Sequence, residues 1–268
     1  MNEGPAYLKG FDASRPSLAR VYDYWLGGKD NFGADRELAE QVIAAYPNIV
    51  LSVRANRAFL GRAVRYLVTE CGIRQFLDVG TGIPAAENTH EVAQRLAPSS
   101  RVVYVDNDPI VLSHARALLK SHPEGACAYL DADMRDPAAI LAAAADTLDF
   151  TRPVAVMLIA AVHCVEDDGE ARSIVRHLMD ACPPGSYLAI THATSDFNPA
   201  QVGQMNQLMN ESAMAEKRVT RDRAGVARLL GGYELVEPGL VRAPEWRPDS
   251  EAEAATPCGL WGGVARKS

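Results

Sequence analysis

The stretch Phe76-Leu77-Asp78-Val79-Gly80-Thr81-Gly82-Ile83-Pro84 decides the fold of this chain. Residues 76–79 are strand formers, Gly80 and Gly82 follow them, and residues 85–96 have apolar side chains at helical spacing. The pattern predicts a strand, a tight glycine turn and a helix. Because glycine has no Cβ, such a turn lets a ligand approach the main chain closely. The stretch therefore indicates a site for a nucleotide-like cofactor.

Two classes of cofactor fit this turn at first sight. Gly80-x-Gly82-x-x-Ala85 matches a dinucleotide fingerprint, and Asp106 follows at about the 20-residue distance expected of a ribose-binding acid. Asp78 disfavours a nicotinamide dinucleotide, because a carboxylate beside the turn repels a pyrophosphate and attracts an ammonium or sulfonium group. Pro84 removes a backbone donor near the predicted helix N-terminus, where a phosphate needs donors. S-adenosylmethionine has an adenosine, a cationic methionine end and no phosphate, so it fits better.

Composition limits the class of protein. The chain has 268 residues, of which 48% are hydrophobic and 23% charged, as in globular domains. It has no run of about 18 apolar residues and its start lacks a secretory signal, so we expect a cytoplasmic protein with no membrane partner. The five cysteines are scattered without a C-x-x-C pair, which favours reduced thiols and no metal site. A net charge of −7 makes a nucleic-acid partner unlikely on electrostatic grounds.

Strands and helices alternate from Gln75 onward. This pattern is typical of a parallel sheet with helices on both faces. The predicted strands are residues 76–79, 102–106, 127–131, 154–159, 187–191, 233–236 and 260–265. Residues 247–256 are rich in Pro, Asp, Ser and Glu, and we expect them to form a mobile loop.

Residues 17–68 precede the glycine turn and are predicted to be helical, with breaks at Gly27-Gly28 and near Pro47. Four arginines are interleaved with the apolar residues of the segment 53–68, and we expect them to form a solvated face: Arg54, Arg57, Arg62 and Arg65. Residues 22–32 concentrate aromatic, amide and charged side chains around two glycines. We therefore expect a lid here, with three residues on the substrate side: Tyr22, Tyr24 and Asn31.

Acids end two of the predicted strands. Asp106 ends the second strand, at the sheet edge where open α/β folds bind ligands, and can accept hydrogen bonds from both ribose hydroxyls. Asp108, before Pro109, fits a helix N-cap instead. Asp133 ends the third strand and can accept from an adenine amino group while the Met134 N–H donates to the ring. A turn or cap acid is an equally good interpretation of Asp133 from propensity alone.

The fourth strand ends in Ile159-Ala160-Ala161-Val162-His163-Cys164. The small residues there leave room for a bound methionine group and a substrate. His163 is a candidate general base, because an imidazole titrates near neutral pH. A structural histidine is at least as good an interpretation. No nucleophilic Ser or Cys lies next to a base in the sequence.

At FLDVGTGIP, VVYVDNDP, LDADMRD and the end of the fourth strand, the chain resembles the class I S-adenosylmethionine-dependent methyltransferases. The segments DYWLGGKDNF, RANRAFLGRAVRYL and NTHEVAQ more specifically resemble a bacterial family of S-adenosyl methyltransferases long described as a domain of unknown function. The resemblance implies a Rossmann-like, mostly parallel seven-stranded sheet, residues 73–268, with a helical N-terminal cap, residues 1–72. It implies a cofactor site made of Asp78, Gly80, Thr81, Gly82, Asp106, Asn107, Asp133, Met134 and Ala160.

Three functions follow from these observations. The first is an enzyme that transfers the sulfonium methyl to a small molecule, which requires mainly positioning and desolvation and therefore no conspicuous catalytic set. The second is a module that binds S-adenosylmethionine without catalysis. The third is a nicotinamide oxidoreductase, which Asp78 disfavours. Neither the residues nor the resemblance specifies a methyl acceptor or an oligomeric state.

Overall fold

A mixed eight-stranded sheet organises the protein, whose computed structural model describes residues 12–111 and 121–268. Strands β1 to β5 are parallel, β8 pairs antiparallel with β5, and the two-residue strands β6 and β7 pair with β8. The spatial order is β3-β2-β1-β4-β5-β8-β6. The strands are β1 (Gln75–Val79), β2 (Arg101–Asp106), β3 (Ala126–Asp131), β4 (Ala155–Ile159), β5 (Tyr187–Ala193), β6 (Glu234–Leu235), β7 (Val241–Arg242) and β8 (Leu260–Arg266).

The predicted mostly parallel sheet is confirmed, with one strand more than the seven expected. Each predicted strand lies within two residues of an observed one at both ends. The additional strand, β7, is two residues long and has no alternating pattern of its own. It forms because Val241 and Arg242 lie opposite Gly262 and Trp261 on β8.

Helices cover both faces of the sheet. In the described ranges they are α1 (Leu18–Leu26), α2 (Gly33–Ala45), α3 (Ile49–Thr69), α4 (Thr89–Leu96), α5 (Pro137–Ala144), α6 (Asp168–Asp180), α7 (Pro199–Glu211), α8 (Arg223–Leu229) and α9 (Glu251–Ala254). None of these helices has the length and apolar content needed to cross a bilayer. Short 3₁₀ turns occupy Val162–Cys164 and Ala243–Glu245.

Side-chain alternation explains the two cores. Along β1, Phe76 packs into one hydrophobic cluster with α3 and α4, while Leu77 and Val79 pack into a second cluster with α5 and α6. Successive side chains of a strand point to opposite faces, so a central strand buried on both sides is mainly apolar, and a polar residue in it needs a partner. All residues of β1 and β4 are buried accordingly.

The N-terminal helices differ in their packing. Helix α3 belongs to the layer over the sheet, through Phe59, Ala63 and Leu67. A third cluster joins α1 and α2 to α7, with Trp25 and Met205 among its buried members. Only α1 and α2 thus extend beyond the helices that cover the sheet, and α7 supports them.

The helix after the glycine turn begins four residues later than the sequence predicts. It starts at Thr89, because the Glu91 carboxylate accepts from the Asn88 N–H at 2.9 Å and the Asn88 side chain accepts from the Ala85 N–H at 3.1 Å. These bonds satisfy backbone donors at the helix start. The expectation that Pro84 lies near a helix N-terminus is therefore wrong.

Two expectations about exposed segments are also wrong. Arg62 is only 3% exposed and donates to the carbonyl oxygens of Trp246 at 2.9 Å and Ala243 at 2.8 Å. It also pairs with Glu253 of α9. A buried guanidinium needs such partners, which lie far away in sequence. Residues 247–256, expected to form a mobile loop, contain the short helix α9 and are attached to α3 by this pair.

Candidate functional site

A cavity opens at the carboxyl edge of the parallel strands, below α1. Parallel strands end at one edge of the sheet, so the residues that follow β1, β2, β3 and β4 meet there. All nine predicted cofactor residues line this cavity, together with Tyr22 and His163. The structure therefore brings the predicted site together, except for two of the substrate-side residues.

Gly80 and Gly82 are required in the glycine turn for different reasons. Gly80 has a φ of 74°, and a Cβ there would lie 2.6 Å from the Cβ of Ala161. Gly82 has a φ of 68°, but its open side has no atom within 4 Å and lies along the cavity. Positive φ values are costly for other residues. Gly80 is thus required by packing, and Gly82 leaves the main chain accessible to a ligand.

Asp106 is bound to the same turn. Its carboxylate accepts from the N–H groups of Gly82 at 2.8 Å and Asp108 at 3.0 Å. Burial raises the pKa of Asp106 to about 6, although these two bonds act in the opposite direction. Each carboxylate oxygen can accept more than one bond. Asp106 can therefore accept from hydroxyl groups of a ligand while it holds the turn.

Asp108 has a local role, as its position before proline predicts. Its carboxylate accepts from the Ile110 N–H at 2.8 Å and from the Ser17 hydroxyl at 2.5 Å. The first bond is of the helix-capping kind. The second ties the start of α1 to the end of β2. Both acids line the cavity, and Asp106 is the one that also holds the glycine turn.

Asp78 is a buried carboxylate with one hydrogen bond. It is 3% exposed, and its Oδ2 accepts from the Thr89 hydroxyl at 2.6 Å. Burial raises the pKa of Asp78 to about 6, and the Arg57 charge offsets part of this. No ion pair to Asp78 exists among the described residues. A cationic ligand in the cavity would satisfy this carboxylate.

The turn after β3 forms the far wall of the cavity. The Asp133 carboxylate accepts from the Arg135 N–H at 2.9 Å, so it has the local turn role that propensity allows. Its side chain is nevertheless 45% exposed, which leaves acceptor capacity on the cavity side. The Met134 side chain reaches Gly80 and packs over the glycine turn.

A buried hydrogen-bond chain links the end of β4 to α1. The Ala160 N–H donates to Thr191 Oγ1 at 2.8 Å, and the Thr191 hydroxyl donates to Asn56 Oδ1 at 2.6 Å. The Asn56 amide donates to the Tyr22 hydroxyl at 2.9 Å, which in turn donates to the Val53 carbonyl at 3.2 Å. Sequence reasoning missed Asn56 and Thr191. A polar residue on the otherwise apolar face of α3 was the available signal.

His163 lies in the 3₁₀ turn after β4 and is 3% exposed. Within residues 12–111 and 121–268, neither of its ring nitrogens has a hydrogen-bond partner. Burial, followed by the charge of Arg218, holds the pKa of His163 well below its usual value. The imidazole is therefore neutral at pH 7 and presents one donor and one acceptor.

Two arginines of the cavity were not expected there. The Nη2 of Arg57 on α3 donates to the Ala86 carbonyl at 3.0 Å, so Arg57 lies beside the glycine turn and not on a solvated face. Arg218 precedes α8, is 6% exposed and makes no ion pair with any described residue. The sequence around Arg218 contains no motif that predicts this position.

Two predicted substrate-side residues lie outside the cavity lining, which corrects the prediction for them. The Tyr24 hydroxyl donates to the Glu40 carboxylate. The Asn31 amide donates to Asp23 Oδ2 at 2.9 Å and to the Gly28 carbonyl at 3.1 Å. These bonds fold the Gly27-Gly28 turn back onto α1 and α2. Side chains from one short segment point in several directions, so density of polar residues did not identify those that face a ligand.

Comparison with known proteins decides the family. A family model described as S-adenosyl methyltransferase matches residues 6–268. The chain belongs to this family. No curated protein matches it. The family uses S-adenosylmethionine, so this protein is an S-adenosylmethionine-dependent methyltransferase, and its sheet has the Rossmann-like form of that class.

Solved structures agree with this membership. A DUF574 family protein from Streptomyces avermitilis is 47% identical, with 96% of this methyltransferase and 99% of that chain covered and a TM-score of 0.92. A protein from Thermobifida fusca described as a candidate methyltransferase is 43% identical, with 97% of each chain covered and a TM-score of 0.88. TnmH, at 16% identity and a TM-score of 0.51, covers 97% of this chain and 67% of its own, and shares the fold alone.

The residues of the cavity fit this cofactor. Asp106 offers carboxylate oxygens for hydroxyl groups, and the bare main chain at Gly82 permits close approach. Asp78 is a buried acid that forms no ion pair among the described residues, and a cationic group in the cavity would compensate its charge. A sulfonium compound with an amino group and a ribose supplies both kinds of partner.

Proposed function

We propose that this methyltransferase acts on a small-molecule acceptor that enters the cavity between the strand ends and α1. The supporting observation is that one cavity is lined both by the residues that fit the cofactor and by apolar and polar side chains of α1 and α3. Cofactor and acceptor would therefore share one space. With a net charge of −7, the protein has no general attraction for nucleic acid.

We assign the cofactor to nine residues. Asp78 would pair with the cationic end, Asp106 and Asn107 would hold the ribose, and Asp133 and Met134 would bound the adenine. The turn residues Gly80, Thr81 and Gly82, with Ala160 after β4, would face the methionine portion. Support comes from the shared cavity lining and from the two acids whose pKa values burial raises to about 6.

S-adenosylmethionine, when bound, supplies an electrophilic methyl group on a sulfonium sulfur. The protein's own task is to orient the acceptor, exclude water and receive a proton where one must leave. His163 is the proposed acceptor of a hydrogen bond or proton from the substrate, because the residue lines the cavity and its buried ring nitrogens have no partner among the described residues. Its low pKa keeps one nitrogen free of a proton at neutral pH.

We propose that the N-terminal part, residues 1–72, acts as the wall and lid of the acceptor space over the domain of residues 73–268. Tyr22 would form part of the substrate side, since it lines the cavity and is held by Asn56. We also propose a cytoplasmic location, because all five cysteines are free thiols.

Calorimetry with S-adenosylmethionine, S-adenosylhomocysteine and NAD tests the cofactor assignment, and turnover of labelled S-adenosylmethionine against a metabolite panel tests catalysis. We expect both adenosyl ligands to bind and NAD not to bind. Binding without turnover on any acceptor would favour the alternative, a non-catalytic S-adenosylmethionine-binding module. Absence of binding by either adenosyl ligand would contradict the proposal.

A further inference from the structure

Arg218 is a buried cation in the cavity and forms no ion pair with any described residue. It is 6% exposed, and within the described ranges its Nη1 donates to the sulfur of Met209 at 2.8 Å. Its Nε has no hydrogen-bond partner in the described part of the chain. A buried arginine is normally paired, because an uncompensated charge is costly in a low dielectric. Burial accordingly lowers the pKa of Arg218.

Hydrogen bonds fix the backbone at Arg218, so its guanidinium is not carried by a loose loop. The Arg218 N–H donates to Asn210 Oδ1 at 2.8 Å, and the Asn210 amide donates to the Arg218 carbonyl at 2.9 Å. The next residue, Val219, donates its N–H to the His163 carbonyl at 2.9 Å. These bonds hold Arg218 beside His163, whose two ring nitrogens are also unpartnered. Three buried nitrogens of these two cavity-lining residues are thus without a hydrogen-bond partner in the described ranges.

This end lies away from the residues that fit the adenosine. Asp106 ends β2, and His163, to which Val219 is bonded, follows β4, two strands away across β1. Adjacent strands are about 5 Å apart, so the ends of β2 and β4 are separated by about 10 Å at the sheet edge. Large side chains that line the same cavity include Tyr22, Trp25 and Leu260.

Other charges of the cavity do not neutralise Arg218. Glu216 also lines the cavity, but no ion pair joins it to Arg218 among the described residues. Arg135 also lines the cavity, but it pairs with Asp133 at 3.5 Å and with Glu170 at 3.7 Å. Arg57, the third arginine of the lining, lies beside the glycine turn, where its Nη2 donates to three acceptors of the Ala86 to Asn88 segment. Arg57 is therefore better placed than Arg218 for the cofactor's own carboxylate.

We propose that Arg218, together with His163, binds an anionic group of the methyl acceptor, so that the substrate is an apolar molecule bearing a carboxylate. The proposal rests on the proposed function for the identity of the site. A guanidinium offers several donors in a planar fork that matches a carboxylate. The neutral imidazole adds one donor to the same group, and the aromatic and aliphatic walls take the apolar body.

The test uses the full chain loaded with sinefungin, a cationic analogue that does not transfer a methyl group. Calorimetry measures the binding of three carboxylates, 4-hydroxybenzoate, indole-3-acetate and octanoate, each compared with its amide. We expect at least one carboxylate to bind more tightly than its amide, and Arg218→Met to weaken that carboxylate about 10- to 150-fold. The matched control Arg54→Met removes an exposed charge of α3 and should leave the affinity unchanged.

Two further measurements distinguish the acceptor's carboxylate from the cofactor's carboxylate, and a binding role of Arg218 from a structural role. S-adenosylhomocysteine and 5′-methylthioadenosine, which lacks the amino-acid portion, should each bind Arg218→Met as they bind the wild type. The melting temperature of ligand-free Arg218→Met should equal or exceed that of the wild type, because a buried unpaired charge is removed.

Several results would overturn the assignment. They are equal affinity of every carboxylate and its amide, no effect of Arg218→Met on the preferred carboxylate, a selective loss of S-adenosylhomocysteine in that variant, or a fall of its melting temperature. A selective loss of S-adenosylhomocysteine affinity would indicate that the guanidinium binds the cofactor's carboxylate. A lower melting temperature would indicate that Arg218 has a structural role. Failure of the wild-type protein to bind S-adenosylhomocysteine would instead refute the proposed function. In that case the carboxylate titrations on ligand-free protein would still test the proposal for Arg218.

Discussion

Replacement of Asp78 by asparagine should stabilise the ligand-free protein and weaken its cofactor. The carboxylate is 3% exposed, and its pKa is raised from 3.8 to about 6 because burial disfavours the ionised form. At 1.36 kcal/mol per pKa unit, the ionised group costs about 3 kcal/mol of folding free energy at pH 7.5. The asparagine side chain would carry no charge and have nearly the same shape. The variant should therefore gain at most ~3 kcal/mol, or about 6 °C in melting temperature.

The stability difference between the Asp78→Asn variant and the wild type should depend on pH. The folded protein holds the Asp78 proton more tightly than the unfolded chain does, so the stabilisation from protonation is complete below pH 3.8 and is lost as pH rises through about 6. Asparagine does not titrate. The difference in melting temperature between variant and wild type should consequently be near zero at pH 4 and reach its full value above pH 6.

The same substitution should weaken S-adenosylmethionine about 10- to 150-fold at pH 7.5, the loss expected for one hydrogen bond to a charged group. Scanning calorimetry between pH 4 and 8 and isothermal titration measure the two effects. Asp222→Asn is the control, because Asp222 caps α8 through the Gly225 N–H at 2.7 Å and asparagine caps equally well. A variant that is less stable than wild type at pH 7.5, or that binds the cofactor normally, would refute this reasoning.

The other predictions concern the rest of the site. Asp106→Ala should lose about 1.5–3 kcal/mol of cofactor affinity by isothermal titration, and an unchanged affinity would remove Asp106 from the ribose site. Gly82→Val should abolish cofactor binding while circular dichroism stays native, because the open side of Gly82 faces the cavity; normal binding would show that the turn is only structural. Once an acceptor is known, His163→Gln should lower turnover at least about tenfold at constant cofactor affinity, and a smaller effect would exclude a general base.

The sheet and the residues that meet at its carboxyl edge were predictable because they depend on local patterns. Buried strands are continuous apolar runs, and the acids that end them must meet at one edge whatever the rest of the chain does. Asp106 and Asp133 were located in this way. The glycine turn was also predictable from sequence. Gly80 and Gly82 both have positive φ values, which few other residues adopt, so a turn of this shape requires glycine at these positions.

The acceptor side was not predictable, because it depends on partners far apart in sequence. Arg62 is buried and donates to the Trp246 carbonyl, 184 residues away in sequence. Helical periodicity alone predicted a solvated face for it. Helical spacing puts Asn56 on the apolar side of α3, but its partner Thr191 lies 135 residues away in sequence. Arg218 has no sequence signal at all, since an unpaired buried charge is recognised only when the fold shows what is missing around it.

Buried charges of both signs line the cavity. Asp78 and Asp106 are acids whose pKa values burial raises, and Arg218 is a base whose pKa burial lowers. No ion pair joins Arg218 to either acid among the described residues, so each of these charges favours a ligand group of opposite sign. On the proposal for Arg218, an anionic acceptor and the cationic cofactor attract one another, and by linkage each should raise the affinity of the other. Methyl transfer removes the sulfonium charge, so this attraction ends with the reaction and release of the methylated product is favoured.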